Sequence, residues 1–209
     1  MAFLSLQLCD EHFLVIDKPA GLLSVPGKGQ GALDNLSTLL QLRYPEARSV
    51  HRLDMATSGL MVFARSVTAH RQLSMAFERR LVHKRYLALV DGEPSQNEGE
   101  IDVPLGADWP QRPRQKVDRE QGRPSLTRWR VLQRLPGSTR LELEPVTGRS
   151  HQLRVHLQHI GHPIIGDTLY GLAPVEAQAP PRMMLHASVL RFPHPASGST
   201  VEVCCPAPF

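Results

Sequence analysis

Apolar and polar positions divide the chain into short elements. FLVID at 13–17 is a compact apolar run, which predicts a strand over Phe13–Asp17 that enters a turn punctuated by Pro19, Gly21, Pro26 and Gly27. Leu33, Leu36 and Leu40 recur at helical spacing until Pro45 and predict a helix over 33–43 with one face inward. Gly59 to Ala64 reads as a second apolar strand. Ser66 is placed to cap a helix carrying Leu73, Ala76 and Phe77 on its inner side, with Arg79 and Arg80 near its end, where the helix dipole favours cations. HKRYLALVDG at 83–92 is strand-like and ends in a turn.

The pattern then loosens. Residues 92–124 mix Gly, Pro and charge, and DWPQRPRQKVDREQGRP, from Asp108 to Pro124, predicts a flexible basic loop. SLTRWRVLQRL and STRLELEPVTG alternate as half-buried strands do, Leu141 and Leu143 facing one way and Glu142 and Glu144 the other, paired as a hairpin across Pro136-Gly137. A helix over about 150–160 is expected next, capped by Ser150 and ended by Gly161 before Pro163. Strands near 183–192 and 199–204 close the chain. Hairpin-joined strands with a few interspersed helices predict an α+β fold, a mixed, mainly antiparallel central sheet flanked by helices.

Composition changes this picture modestly. A chain of 209 residues can bury a core as one domain or two small lobes. A net charge of +4, ten histidines and an isoelectric point of about 9.2 favour a polyanionic partner without requiring one. Three cysteines, with Cys204 and Cys205 adjacent, suit neither a disulfide framework nor a metal-ligand spacing, as expected in a reducing compartment. No run approaches the roughly 18 apolar residues of a membrane span, and the start lacks signal-peptide features, so a soluble cytoplasmic protein is expected.

Several reaction classes lose ground for want of their motifs. The chain has no glycine-rich phosphate loop, HExxH, paired CxxC or G-x-S-x-G, which argues against ATP-driven, zinc-hydrolytic and serine-esterase chemistry. His151, His156 and His159 share one expected helix with His162 just beyond, but only His156 and His159 share a face, so no metal site is expected.

SVHRLDMATSGLMVF, at 49–63, raises the sharpest question, because Asp54 directly follows His-Arg-Leu and precedes Thr57, Ser58 and Gly59. Taken alone it reads either as a capped turn with Arg52 solvated or as a site of chemistry. Four other segments combine a turn with a particular polar or aromatic residue: KPAG, KRY, TGRSHQLRVH and MMLHA.

Through HRLDMATSGL at 51–60, KPAGLLSVPG at 18–27, KRYLALV at 84–90, TGRSHQLRVHL at 147–157, HPIIGDTLYG at 162–171 and MMLHA at 183–187, the chain resembles the RluA family of pseudouridine synthases over almost its whole length. DWPQRPRQKV narrows the resemblance towards a short, dual-specificity member acting on ribosomal and transfer RNA hairpins. The resemblance implies a pseudouridine synthase fold forming one catalytic domain over 1–209, two lobes around a central active-site cleft. It leaves no room for an N-terminal S4 domain, since the first motif starts by residue 18.

The implied reaction detaches uracil from ribose at N1, turns the ring and rejoins it through C5, a step that demands no cofactor and no metal. Asp54 matches the catalytic aspartate, which attacks the ribose C1′ or removes a sugar proton to give a glycal; both routes need an ionised carboxylate. Arg154 matches the arginine that pairs with it, Tyr86 the tyrosine on which extruded uracil stacks, and Arg52 the arginine that fills the space left by the base. Leu185 matches an aliphatic wall of the uracil pocket, and Lys18, Arg112, Arg114, Lys116, Arg149 and His151 are candidates for phosphate contacts. On residue type alone, Tyr86 reads first as a half-buried core residue, Leu185 equally as core, Arg52 as a structural ion pair and Arg154 as an exposed helix charge.

The expected partners are stem-loops of 23S ribosomal RNA and the anticodon arm of transfer RNA, with no membrane, no obligate protein partner and a monomeric chain. With eleven Phe, Trp and Tyr residues in total, recognition is expected to rest on loop shape and splayed bases rather than a broad stacking platform. The rivals are a non-catalytic RNA-binding module and a carboxylate-dependent nucleoside or glycoside hydrolase. The latter generally needs two carboxylates at the bond, and Asp54 is the one that the matched motifs assign to the site.

Overall fold

The computed structural model describes residues 4–27, 35–172 and 182–209. In chain order the elements are β1 (Ser5–Cys9), β2 (Phe13–Lys18), α1 (Leu36–Gln41), β3 (Arg48–Ser49), β4 (Ser58–Ala64), α2 (Val67–Glu78), β5 (His83–Asp91), β6 (Glu98–Asp102), β7 (Leu105–Ala107), β8 (Gln115–Val117), β9 (Leu126–Leu135), β10 (Ser138–Pro145), α3 (Gln152–His159), β11 (Leu185–Pro193) and β12 (Thr200–Cys204). A 3-10 turn over Trp109–Gln111 lies between β7 and β8. The fold is α+β, and the pairings β1–β2, β2–β4, β3–β4, β5–β10, β9–β10, β6–β9, β7–β8 and β11–β12 are antiparallel. No helix among the described residues is long and apolar enough to cross a membrane. The chain divides into two compact units.

The first unit comprises residues 1–84 and 187–208. Strands β1, β2 and β4 lie side by side, β2 and β4 pairing from Phe13 opposite Ala64 to Lys18 opposite Gly59. β4 is buried at every residue and β2 at all but Asp17, so both read as continuous apolar runs rather than alternations. Ser66 caps α2 as expected, its side chain accepting from the Ala69 N–H, and α2 buries Ala69, Leu73 and Ala76. These pack with Phe13, Val62, Leu190 and Phe192 into one core, Phe13 meeting Phe192 edge to face at 5.1 Å between ring centroids. The expected helix over 33–43 is shorter. Asn35 caps it through the Thr38 N–H, and Leu33 lies outside the described residues.

The second unit comprises residues 85–186 and Phe209. Its strands run β5, β10, β9, β6 across the sheet, and β9 and β10 form the expected hairpin. Thr139, Leu141, Leu143 and Pro145 are buried while their β10 neighbours are not. The flexible loop expected over 92–124 is corrected. It contains β6, β7, the 3-10 turn and β8, with β6 pairing along β9 from Glu98 opposite Arg130 to Asp102 opposite Leu126. Strands of three to five residues rich in Gly and charge carry little local signal, and long-range pairing decides them.

The start of α3 also differs. Ser150 does not cap it; His151 occupies the cap in the left-handed region at φ 55°, with no side-chain cap bond. Gln152 closes the turn instead. Its Oε1 accepts from the Thr147 hydroxyl (2.7 Å) and the Arg149 N–H (3.0 Å), and its Nε2 donates to Leu126 O and Thr127 Oγ1. Gly161, at φ 83°, follows the helix end as the sequence predicts.

Candidate active site

Asp54 sits on the turn between β3 and β4, and two sequence segments meet there. Lys18, wholly buried at the end of β2, donates from Nζ to Pro19 O (2.8 Å), Leu22 O (2.7 Å) and Met55 O (3.1 Å). Gly21 N–H donates to the same Met55 carbonyl at 2.8 Å. Ser24 donates its hydroxyl to Leu53 O (2.7 Å) and accepts from Leu53 N–H (3.0 Å). The residues on both sides of Asp54 are thus fixed by the KPAGLLS loop, and Thr57 N–H closes the turn onto Asp54 O at 3.1 Å. The expectation that Lys18 contacts phosphate is corrected: its ammonium is enclosed and holds three carbonyls. Asp54 is half-buried and Arg52 is exposed.

His51 anchors the same segment from below. Its Nε2 accepts from the Val62 N–H at 3.0 Å, so the ring proton resides on Nδ1, and the ring stacks on Phe77 at 4.6 Å. Burial, aided by the nearby Lys84 charge, lowers its pKa to about 3. The imidazole is therefore neutral at any working pH and serves as a fixed acceptor.

The second unit carries a separate polar cluster. Arg154 on α3, only 4% exposed, is no surface charge: it forms a two-pronged ion pair with Asp167, Nε to Oδ2 at 2.7 Å and Nη2 to Oδ1 at 2.8 Å. Asp167 Oδ1 also accepts from the N–H groups of Leu169 (2.9 Å) and Tyr170 (3.1 Å). The Tyr170 ring lies 5.0 Å from the Arg154 guanidinium carbon. Its oxygen is 2.7 Å from both His151 Nδ1 and the Gln115 N–H, and burial raises the hydroxyl above its usual pKa. Asp167 and Tyr170 were missed by residue-level reasoning, although both stand in HPIIGDTLYG. An aspartate in a Gly-Asp-Thr turn signals local capping, and only the fold sets it against Arg154.

The remaining expected residues are dispersed through this unit. Tyr86 is half-buried on β5 opposite Leu143 of β10, and Leu185, 3% exposed, opens β11. Arg112 and Lys116 are exposed. Arg114 is half-buried, with Nη1 donating to Gln111 Oε1 at 2.9 Å and Nη2 donating to Leu169 O. Arg149, half-buried, donates from Nε to Pro124 O at 3.3 Å. His156 has both ring nitrogens engaged, with Thr127 Oγ1 at 2.9 Å and Val103 O at 3.1 Å, which leaves no lone pair for a metal. A concave surface of about 550 Å³ lies on the charged face of β5, β6, β9 and β10. There Arg85 and Arg130 pair with Glu142 and Arg128 with Glu100, and no expected site residue lines it.

The chain is similar to known proteins. A sequence profile described as RNA pseudouridylate synthase matches residues 12–159. The dual-specificity RNA pseudouridine synthase RluA of Escherichia coli K12 is 48% identical over 201 residues, covering 96% of this chain and 91% of the relative. The protein of that name from Vibrio cholerae is 51% identical over 189 residues, covering 90% of this chain and 76% of the relative. Among solved structures, human RNA pseudouridylate synthase domain containing 1 superposes with a TM-score of 0.82 at 35% identity, covering 99% of this chain and 84% of that one. Human RNA pseudouridylate synthase domain containing 4 gives 0.78 at 27% identity, with coverages of 98% and 88%.

Proposed function

The chain belongs to the RNA pseudouridylate synthase family, and from that premise we propose that Asp54 is the carboxylate that cleaves the uridine glycosyl bond. As an RNA pseudouridine synthase the protein is an isomerase that converts uridine in RNA to pseudouridine. The N1–C1′ bond breaks, a C5–C1′ bond forms, the C5 hydrogen leaves to solvent as a proton and N1 gains one. The observation that carries the assignment is the double clamp on Leu53 and Met55, which fixes the backbone on both sides of this one carboxylate. A preset nucleophile or base needs such a support, because small misplacements of a reacting atom are expensive in rate.

The other roles follow the family motifs. Arg154, oriented by Asp167, stands at the position of the motif arginine and is assigned to the substrate site on that ground. Tyr86 stacks on the extruded uracil, Leu185 supplies an apolar contact beside it, and Arg52 occupies the place the base leaves. Arg112, Arg114, Lys116, Arg149 and His151 are assigned to phosphate contacts, and Arg114 also braces the segment that carries Arg112 and Lys116. Asp54 belongs to one compact unit, and Tyr86, Arg154 and Leu185 belong to the other. The substrates we propose are hairpin loops of 23S ribosomal RNA and of the transfer RNA anticodon arm, as the motif resemblance implies; the dual-specificity name of the relatives supports more than one RNA target. The protein acts as a cytoplasmic monomer.

The test is release of tritium from transcripts labelled at uridine C5, with chromatography of the digested RNA. Active protein yields tritium and an intact isomeric nucleoside. Asp54→Asn, folded as judged by circular dichroism, abolishes both; undiminished turnover would reject the assignment. Free uracil would reveal a hydrolase instead, and binding without tritium release a non-catalytic module.

A further inference from the structure

Trp109 is 68% exposed, whereas Trp129, the other tryptophan, is 8% exposed. Burying a tryptophan is among the most favourable single contributions to a core, so an indole left in water on a three-residue 3-10 turn serves no packing purpose there. The Arg112 guanidinium carbon lies 3.7 Å from the Trp109 ring centroid and covers one face of the indole. Stacking engages the face of a guanidinium and leaves its in-plane N–H donors directed outward.

The turn is held firmly. Asp108 N–H donates to Arg114 O at 3.0 Å, Gln111 N–H to Asp108 O at 3.1 Å, and Arg114 N–H to Gln111 O at 2.9 Å. The Arg114 guanidinium holds Leu169 O, and Gln115 N–H holds the Tyr170 hydroxyl. Leu169 and Tyr170 are the residues whose N–H groups Asp167 caps while it orients Arg154. The exposed indole is therefore mounted on the backbone that fixes the buried arginine, and a ligand seated on it is registered against that side chain.

We propose that the Trp109–Arg112 stack is an RNA-reading platform: the uncovered indole face receives an unstacked base from a single-stranded loop, and the outward Arg112 donors take a neighbouring phosphate. Aromatic stacking tolerates any base, so the platform recognises splayed loop nucleotides rather than a sequence. It refines the expectation that loop shape dominates recognition, by giving shape one fixed aromatic contact. The inference rests on the pseudouridine synthase reading for its substrate, and its test separates the two.

Intrinsic fluorescence of the full chain is titrated with a hairpin transcript and with a fully paired duplex of the same length. Quenching by the hairpin, absent from Trp109→Phe and weak with the duplex, is the expected result. Trp109→Ala should raise KM for hairpin tritium release by about 5–150-fold, the equilibrium counterpart of one stacked base, with a smaller change in kcat. Trp109→Phe, which keeps a ring, should recover most of that loss. Equal quenching by hairpin and duplex, no quenching by the hairpin, or an unchanged KM in Trp109→Ala would each overturn the platform. Absence of tritium release in the unaltered protein would instead overturn the catalytic reading, and the fluorescence titration would still decide the platform.

Discussion

Arg154 and Asp167, thirteen residues apart, form a buried two-pronged ion pair with contacts of 2.7 and 2.8 Å and side-chain exposures of 5% and 0%. An enclosed guanidinium without its carboxylate is a costly desolvated charge, so the pair is far more sensitive to removal of one partner than a surface bridge is. Asp167 also caps the turn to Tyr170, which couples the position of Arg154 to that of the β7–β8 segment.

Asp167→Ala should therefore lower the free energy of unfolding by about 3–5 kcal/mol, the range for breaking one side of a buried pair. Urea denaturation measures it. In whatever fraction remains folded, tritium release should fall along with stability, because Arg154 loses the group that orients it. A loss below about 1 kcal/mol, typical of an exposed bridge, would contradict the burial seen here.

Lys18→Met removes the ammonium that joins Pro19, Leu22 and Met55; the Met55 carbonyl keeps its bond from Gly21 N–H, while the Pro19 and Leu22 carbonyls lose their Lys18 partner, at up to about 1–3 kcal/mol for a group left without a partner. Turnover should drop through displacement of the Asp54 turn. The salt dependence of RNA binding should not change, whereas loss of a phosphate contact would reduce its logarithmic slope by about one. Filter binding across a salt series distinguishes the two.

The pKa of His51, about 3 when folded against 6.5 for the free side chain, lies on the depressed side. As pH falls, the unfolded chain binds the proton first. The stability this residue confers is complete above 6.5 and is lost as pH falls from there towards 3, at up to about 1.4 kcal/mol per pH unit. His51→Gln retains an acceptor for the Val62 N–H but does not titrate. The difference in unfolding free energy between the two proteins should therefore change with pH between 4 and 6, and a flat difference on chemical denaturation would refute the assignment.

Gly59→Ala should strongly destabilise the protein or prevent folding. Gly59 has φ 115°, and a Cβ there would overlap the backbone nitrogen, carbon and oxygen of Ala187. Neither the strained dihedral nor the overlap with main-chain atoms can be relieved by a side-chain rotation. A thermal midpoint within a few degrees of the parent would contradict this close approach of β4 to β11.

Much of this protein is legible along the chain because its signals are local. Apolar runs and turn residues marked β2, β4 and the β9–β10 hairpin, and Ser66 announced α2, since burial periodicity and capping act over a few residues. Asp54 stood out because of its neighbours in the HRLD motif. What escaped was non-local: β6, β7 and β8 in a segment read as loop, the left-handed His151 in place of a Ser150 cap, and Lys18 as an enclosed brace rather than a surface cation.

By itself the sequence determined the α+β pattern, the family motifs and the acid at position 54, since each is written in residue types at short spacing. The tertiary structure alone decided what surrounds those residues: Lys18 meeting Met55 across 37 positions, Ser24 meeting Leu53 across 29, and Asp167 meeting Arg154 across 13. The reason is physical. A charge or hydroxyl has the same local preferences wherever it stands, and its burial and partners are fixed only when the packed core excludes water and leaves one set of groups to satisfy it.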